Sequence, residues 1–382
     1  MTDDPQAAKR ERYGVYGAPP AELAGVPAQA IQFSPLIPGA ALLEAEPPEA
    51  LAGMTMLAPP GTLERRYALA LALKALAPGA RLTVLAPKDK GGSRIAAELG
   101  AFGCAVDETS KRHHRICICV RPPVLEGLED ALEGGGLQLI EALGLWSQPG
   151  VFSWSRIDPG SALLAESLPA LAGRGADLGC GAGALSIVAL ASPDVSQMSL
   201  IDIDRRAIEA ARRNIKDSRA RFFWADARQE NADLKELDFI VMNPPFHDGG
   251  AEDQSLGKAF ILRAAKMLRK GGALWLTANR HLPYEAALKP RFREIAPIIE
   301  TGGYKIFEAR KCASRHRSGS TGCSPISAMA REARRSSCFA QSASCWMEGF
   351  STIRPRASPS RRICRSACAS TAKGSIRRRD WR

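Results

Sequence analysis

The chain reads as an α/β protein: a doubly wound, mostly parallel sheet closed by an antiparallel hairpin and preceded by a second strand–helix unit. Three observations predict this. Strand-like and helix-like segments alternate over residues 1–311, the pattern that builds a parallel sheet with helices on both faces. A glycine-rich turn, Asp177-Leu-Gly-Cys-Gly-Ala-Gly183, leads from a strand into a helix. Two apolar runs near residue 300 bracket Gly302-Gly303, a two-residue hairpin signal.

Each element has its own justification. In the first half, Met54–Ala58 is a short apolar strand, and Leu63–Leu76 a helix with Leu69, Leu73 and Leu76 on one face. Arg81–Ala86 is a strand and Ser93–Leu99 a helix. Arg115–Val120 is a strand whose period of two puts Cys117 and Cys119 on one face, as packing residues. Trp146–Ile157 is a connection punctuated by Pro and Gly. The second half is more regular. Ala176–Leu178 ends a strand, and Ala184–Leu190 is a helix. Met198–Asp202 is a strand, and Arg205–Ile215 a helix with Asp204 as its N-cap. Arg221–Trp224 and Phe239–Met242 are strands. Leu256–Leu268 is a helix with Gly271 placed for its C-cap. Ala273–Thr277 is a strand, and Ile295–Glu300 with Tyr304–Ala309 forms the hairpin.

Composition bounds the function. A chain of 382 residues predicts two domains at roughly 150 residues each. No uncharged apolar run approaches the ~18 residues of a membrane span, and Met1–Gly14 lacks the apolar stretch of a secretory signal. The expectation is a cytoplasmic protein with reduced thiols and no metal site. Of 52 basic and 40 acidic residues, 15 and 3 fall from Cys312 onward. That leaves 37 of each before it, so the whole positive excess sits in the last 71 residues. This segment has no Leu, Val or Tyr, but 15 Ser, 14 Arg and 6 of the 10 Cys. It has too few branched apolar residues to offset the entropy of ordering, so 312–382 is read as a disordered basic tail. Its composition is also what out-of-frame reading of GC-rich DNA yields.

Candidate chemistry concentrates in the second half. Gly179, Gly181 and Gly183 let the backbone turn tightly and approach a ligand without Cβ clashes. A glycine loop alone fits a dinucleotide as well. Asp177, directly before the loop, disfavours a pyrophosphate and favours a cofactor that carries positive charge. Asp202 ends the next strand, about 20 residues on, where a carboxylate accepts from ribose hydroxyls. Asp226 ends the strand after that, where it can meet an adenine. Cys180 has no neighbouring His to activate it. Asn243-Pro244-Pro245-Phe246 follows a strand and so stands at the carboxyl edge of the sheet, where such folds bind ligands. Two prolines remove two backbone donors and stiffen the chain. What remains is a set of carbonyl acceptors beside a flat aromatic face. That set fits a planar group bearing an NH₂: the acceptors take the amine hydrogens and Phe246 stacks on the ring.

This pattern resembles the S-adenosylmethionine site of class I methyltransferases. Within them, the run Asn243–Gly249, together with Ala278–Tyr284, Thr301–Phe307, Gly150–Ser153 and Asp158–Ser161, resembles the RsmC/RlmG group of ribosomal RNA guanine-N2 methyltransferases. The resemblance is strong over Gly150–Lys311 and weak over the first half. It implies a Rossmann-like seven-stranded methyltransferase sheet preceded by a degenerate copy of the same fold. It implies S-adenosyl-L-methionine as cofactor, bound by Asp177, Gly179, Gly181, Gly183, Asp202 and Asp226. It makes Asn243, Pro244, Pro245 and Phe246 the catalytic set. Adenine-N6 enzymes place Asp where Asn243 stands, which implies that Asn243→Asp keeps partial activity. The expected domains are 1–145, a degenerate copy without cofactor whose first strand runs into Ala58-Pro-Pro-Gly61; 146–170, a linker; 171–311, the catalytic domain; and 312–382, the tail. The expected activity is methylation of a guanine N2 in ribosomal RNA, small-subunit RNA favoured, by a monomer away from membranes. Large-subunit RNA, a protein glutamine, and a non-catalytic RNA scaffold are the alternatives.

Overall fold

In the computed structural model, which describes residues 12–230, 234–245, 247–248, 251–252 and 254–312, the chain builds two main sheets. The tail expected to be disordered lies, from residue 313, outside the described residues, as does Phe246.

The first sheet contains β1 (Tyr13–Tyr16), β2 (Ile31–Phe33), β3 (Leu51–Leu57), β4 (Leu76–Pro87), β5 (Val106–Lys111) and β6 (His114–Val120), in the spatial order β2-β1-β3-β4-β6-β5. Helix α1 (Thr62–Ala75) joins β3 to β4, and α2 (Ile95–Gly100) lies between β4 and β5. Helix α3 (Leu128–Gly135) and the short pair β7 (Gln138–Ile140) and β8 (Leu145–Ser147) lead out of this half. Helix α4 (Pro159–Ser167) then opens the second half. Its sheet contains β9 (Gly173–Leu178), β10 (Val195–Asp202), β11 (Ala220–Trp224), β12 (Leu237–Met242), β15 (Leu268–Asn279), β16 (Phe292–Thr301) and β17 (Tyr304–Lys311). The spatial order is β11-β10-β9-β12-β15-β17-β16. Helices α5 (Ala184–Leu190), α6 (Arg205–Asn214), α7 (Gln254–Met267) and α8 (Tyr284–Leu288) connect these strands, and a two-stranded hairpin, β13 (His247–Asp248) and β14 (Ala251–Glu252), sits between β12 and α7.

Strands β9 to β12 and β15 are parallel, and β17 runs antiparallel to both β15 and β16. The central strands are buried on both faces, which is why Phe239–Met242 is a continuous apolar run and not an alternating one. Gly302 and Gly303 both have positive φ, 59° and 86°, the turn geometry whose twist matches paired strands. Asp204 caps α6 as expected, its carboxylate accepting from the Arg206 N–H at 2.9 Å. Cys117 and Cys119 are buried in the first core.

Removing the third strand from the second sheet reproduces the order and direction of the first, so the two halves share one topology. This corrects one assignment. Met54–Ala58 is not the first strand of its sheet; β1 and β2 precede it. Their runs of four and three residues are too short to stand out as periodic. Strand β3 is therefore the counterpart of β12, and Ala58-Pro-Pro-Gly61 is the counterpart of Asn243-Pro-Pro-Phe246, not of the glycine loop. The helices that follow, α1 and α7, both have 14 residues, and each runs directly into a strand of 12. Gly271 is a second correction. It has φ 77° but lies four residues past the end of α7, inside β15, so it is not that helix's C-cap.

Candidate cofactor and substrate site

The chain order of the second sheet reverses between β9 and β12, and the loops after these two strands meet at its carboxyl edge. There the structure holds a cavity of about 400 Å³, walled among others by Gly179, Gly181, Asp202, Asp226, Asn243 and Phe260. A smaller one of about 70 Å³ adjoins it, walled by Trp154, Asp158, Ser161, Cys180 and Ala182. Phe152, Gly179, Gly181 and Asn243 border both, so Asn243 stands at their junction.

The loop is folded by its own hydrogen bonds. The N–H groups of Gly179 and Cys180 donate to Ile201 O at 2.9 and 3.1 Å, Gly183 N–H to Cys180 O at 2.9 Å, and Gly181 N–H to Asp202 Oδ2 at 2.8 Å. Donors committed in this way do not form the N–H cradle that a pyrophosphate needs. Gly181 has φ 54°, and a Cβ built on it would stand in open space, so the glycine serves the backbone conformation and keeps the cavity clear. Gly183 differs: a Cβ there would lie 2.9 Å from Ile215 Cδ1 and 3.3 Å from Ala211 Cβ. It lets α5 pack on α6 and lies outside the cavity wall.

The carboxylates separate into three roles. Asp202 lines the cavity; its Oδ2 accepts from Gly181 and its Oδ1 from Asp204 N–H at 2.8 Å. Burial raises its pKa to about 6, against the pull of these N–H donors. Asp226 also lines the cavity but is gripped by Arg228, Nε to Oδ1 at 2.8 Å and Nη2 to Oδ2 at 2.7 Å, which holds its pKa low. Asp177 is wholly buried beneath the loop and lines neither cavity. Its Oδ2 accepts from Ser186 Oγ at 2.7 Å, its Oδ1 has no hydrogen-bond partner among the described residues, and burial raises its pKa to about 7. A direct contact from Asp177 to a ligand does not fit this placement. Cys180 is buried, and burial holds its thiol protonated.

Asn243 is held by residues of α4. Its Nδ2 donates to Asp158 Oδ2 at 2.9 Å and to Ser161 Oγ at 2.8 Å. Asp158 also caps α4, accepting from Ser161 N–H at 2.8 Å. A carboxylate only accepts, so the Asn243 amide has one possible orientation, with the NH₂ toward Asp158 and Ser161 and Oδ1 turned away from them. Helix α4 and this role for Asp158 were missed from sequence. The N-cap Asp followed by Pro at the first helical position was the signal that marks them. Pro244 and Pro245 line the larger cavity.

A family model for the methyltransferase small domain matches residues 142–308. Ribosomal RNA small subunit methyltransferase C of Stutzerimonas stutzeri is 32% identical over 267 residues, 69% of this chain and 80% of the relative. The enzyme of the same name from Pseudomonas aeruginosa strain LESB58 is 31% identical over 290 residues, 73% of this chain and 86% of the relative. The chain belongs to the ribosomal RNA small subunit methyltransferase C family. Its fold matches that of the T. thermophilus 16S rRNA N2-guanine methyltransferase solved with S-adenosylmethionine and guanosine. That match has a TM-score of 0.65 at 23% identity and covers 81% of this chain and 92% of that one. Among the described residues, no helix is long and apolar enough to cross a membrane, and no cluster of side chains is arranged to hold a metal ion.

Proposed function

We propose that this chain transfers a methyl group from S-adenosyl-L-methionine to the exocyclic N2 of a guanine in small-subunit ribosomal RNA. The observation that carries the reading is the fixed Asn243 amide at the junction of two cavities. It presents an acceptor oxygen where a planar amine and a cofactor could meet. The residues fit this cofactor: the cavity wall is acidic, and the loop offers no phosphate cradle. Asp202 would hold the ribose hydroxyls, the glycine loop the space around them, and the region of Asp226 and Phe260 the adenine.

Bound there, the cofactor supplies an electrophilic methyl group on a sulfonium. The chain's own work is positioning. An exocyclic amine is a poor nucleophile because its lone pair is delocalised into the ring. Asn243 Oδ1 and the Pro244 carbonyl accept the two amine hydrogens, which turns the lone pair out of the ring plane and aims it. Neither group takes the proton, which leaves to water. Preorganised acceptors and proximity supply most of the rate. Phe246 is assigned to stack on the base. The chain is read as working as a monomer. A ribosomal RNA substrate places the work in the cytoplasm. Residues 171–311 are assigned the chemistry, and 1–145 are assigned no cofactor.

The test is N2-methylguanosine in small-subunit ribosomal RNA. A deletion strain should lack one such residue, and the purified chain with the cofactor should restore it. An unchanged nucleoside profile in the deletion strain overturns the reading.

A further inference from the structure

The first half of the chain reaches, through Glu64, a buried arginine that stands behind the cofactor cavity. Arg206, on the first turn of α6, is 4% exposed in its side chain. Its Nε and Nη2 grip the Asp204 carboxylate at 2.9 and 2.8 Å, and its Nη1 meets Glu64 Oε1 at 2.7 Å. Glu64 belongs to α1, in the first domain, and its side chain is 11% exposed. Two routes lead from this pair to the cavity wall. Asp204 lines the cavity, and its N–H holds Asp202 Oδ1. Gly150 also lines the cavity and lies directly on the pair: a Cβ there would stand 2.4 Å from Arg206 Nη1 and 2.5 Å from Glu64 Cδ. Arg206 Nη1 also reaches Pro149 O, at 3.5 Å.

We propose that Glu64 is a positioning residue of the cofactor site: through Arg206 it fixes Asp204 and the Pro149–Gly150 wall, so the first domain sets cofactor affinity without touching the cofactor. The inference rests on the reading of this cavity as the S-adenosylmethionine site. The guanidinium has two anionic partners, one in each domain. Without Glu64 it keeps Asp204 but loses its outer anchor, and it becomes free to swing with Asp204 and to release Gly150. Asp202 then loses its fixed orientation, because one of its backbone donors, Asp204 N–H, moves. The carboxylates farther along the wall, at Asp226, keep their own partner in Arg228.

The test is calorimetric titration of the full-length chain with S-adenosyl-L-homocysteine, well below the unfolding temperature. Glu64→Ala should raise Kd by about tenfold, the scale of one lost charge-assisted hydrogen bond. Arg206→Lys keeps the charge but not the fork on Asp204, and should do the same. In turnover assays both should raise the cofactor KM while kcat stays within about twofold. Glu64→Ala combined with Arg206→Lys should be no worse than the weaker-binding single variant. Combined with Asp226→Ala, its effect should multiply, since that site is independent. A Kd within twofold of wild type in both single variants, with only the unfolding temperature lowered, overturns the proposal and leaves the pair a structural bridge. If wild-type protein itself fails to bind S-adenosyl-L-homocysteine, the reading of the cavity fails and the inference falls with it.

Discussion

Replacing Asn243 by Asp changes one atom of the amide and reverses one interaction. In the wild type the NH₂ lies 2.9 Å from Asp158 Oδ2 and 2.8 Å from Ser161 Oγ. Asn243→Asp puts a carboxylate oxygen in that place, so two carboxylates face each other at hydrogen-bond distance. Unit charges about 3 Å apart repel by about 5 kcal/mol at an effective dielectric of about 20. Asp158 is partly exposed, which reduces this to roughly 2–3 kcal/mol. The lost charge-assisted hydrogen bond adds about 1.5–3 kcal/mol. Either the acceptor swings out of the cavity, or a proton is taken up between the two carboxyls. Single-turnover transfer of a labelled methyl to unmethylated small subunits should therefore fall on the order of 10²–10³-fold near neutral pH, the loss expected when one preorganised polar group is removed. It should recover as the pH is lowered, because the proton cancels the repulsion. This departs from the partial tolerance that adenine-N6 enzymes imply, and the reason is local: here the position is backed by a carboxylate. Introducing Asp158→Ser into the same chain removes the facing carboxylate while keeping an N-cap oxygen, and should return at least tenfold of the lost rate. A full rate for the single variant with a flat pH profile, or no recovery in the double variant, refutes the reasoning.

Three further outcomes follow from the same geometry. Burial raises Asp177 to about 7, so its contribution to stability is full below the unfolded carboxylate value and is lost as pH rises through about 7; Asp177→Asn should flatten the fall in unfolding temperature between about pH 4 and pH 7, and an unchanged slope would show that the group does not titrate there. Gly183→Ala should destabilise by about 1–3 kcal/mol through left-handed strain at φ 92° together with overpacking against Ile215 and Ala211, whereas Gly181→Ala, at φ 54° in open space, meets the strain alone and should cost less stability while weakening S-adenosyl-L-homocysteine binding; equal effects of the two on binding would contradict the different placements. A chain ending at Lys311 should unfold cooperatively and bind like the full chain, since β17 completes the sheet and Lys311 Nζ already meets Leu268 O at 2.5 Å; loss of a cooperative transition would place essential contacts beyond it.

The second half was legible because its signals are local. Ala184–Leu190 and the Asp204 cap are decided by periodicity and by one side chain's hydrogen bond, and the structure places both where the sequence does. The glycine loop and Asn243 were found from residue types with few uses other than a ligand site. Three things were hidden, each for a physical reason. Strands β1 and β2 are too short to carry a period, and their places are set by pairing with β3 and with each other. The separate fates of Gly181 and Gly183 depend on what stands opposite, Ile215 in one case and open space in the other. The orientation of Asn243 depends on Asp158, 85 residues earlier in the chain. Sequence shows which groups are present; only the fold shows which of them already have partners.

The duplicated topology explains how one architecture serves two purposes. In both sheets the carboxyl edge near the strand-order reversal is the natural crevice for a ligand. In the second sheet that crevice is left open and acidic. In the first it is filled by the protein itself. Arg205 donates its N–H to Pro35 O at 2.9 Å and its Nη2 to Glu44 at 2.8 Å, while Arg206 reaches Glu64, so the ends of β1 and β2 close on two arginines from the other domain. What is left between them is a cleft of about 10 Å³. The counterpart of the Asn243-Pro-Pro turn is filled as well. At Ala58-Pro-Pro-Gly61 the two proline carbonyls accept from Arg65 Nη1, at 3.3 and 2.7 Å, and Arg65 is held by both oxygens of Glu98 at 2.6 Å. The counterpart of the Pro244 carbonyl, Pro59 O, is thus taken by a resident guanidinium. Ala58 also lacks the side-chain oxygen that Asn243 supplies. The first domain thus uses this edge as an interface with the second. Because Arg206 fills the crevice of the first sheet while gripping Asp204 beside the other one, the closed edge of one domain supports the cavity in the next.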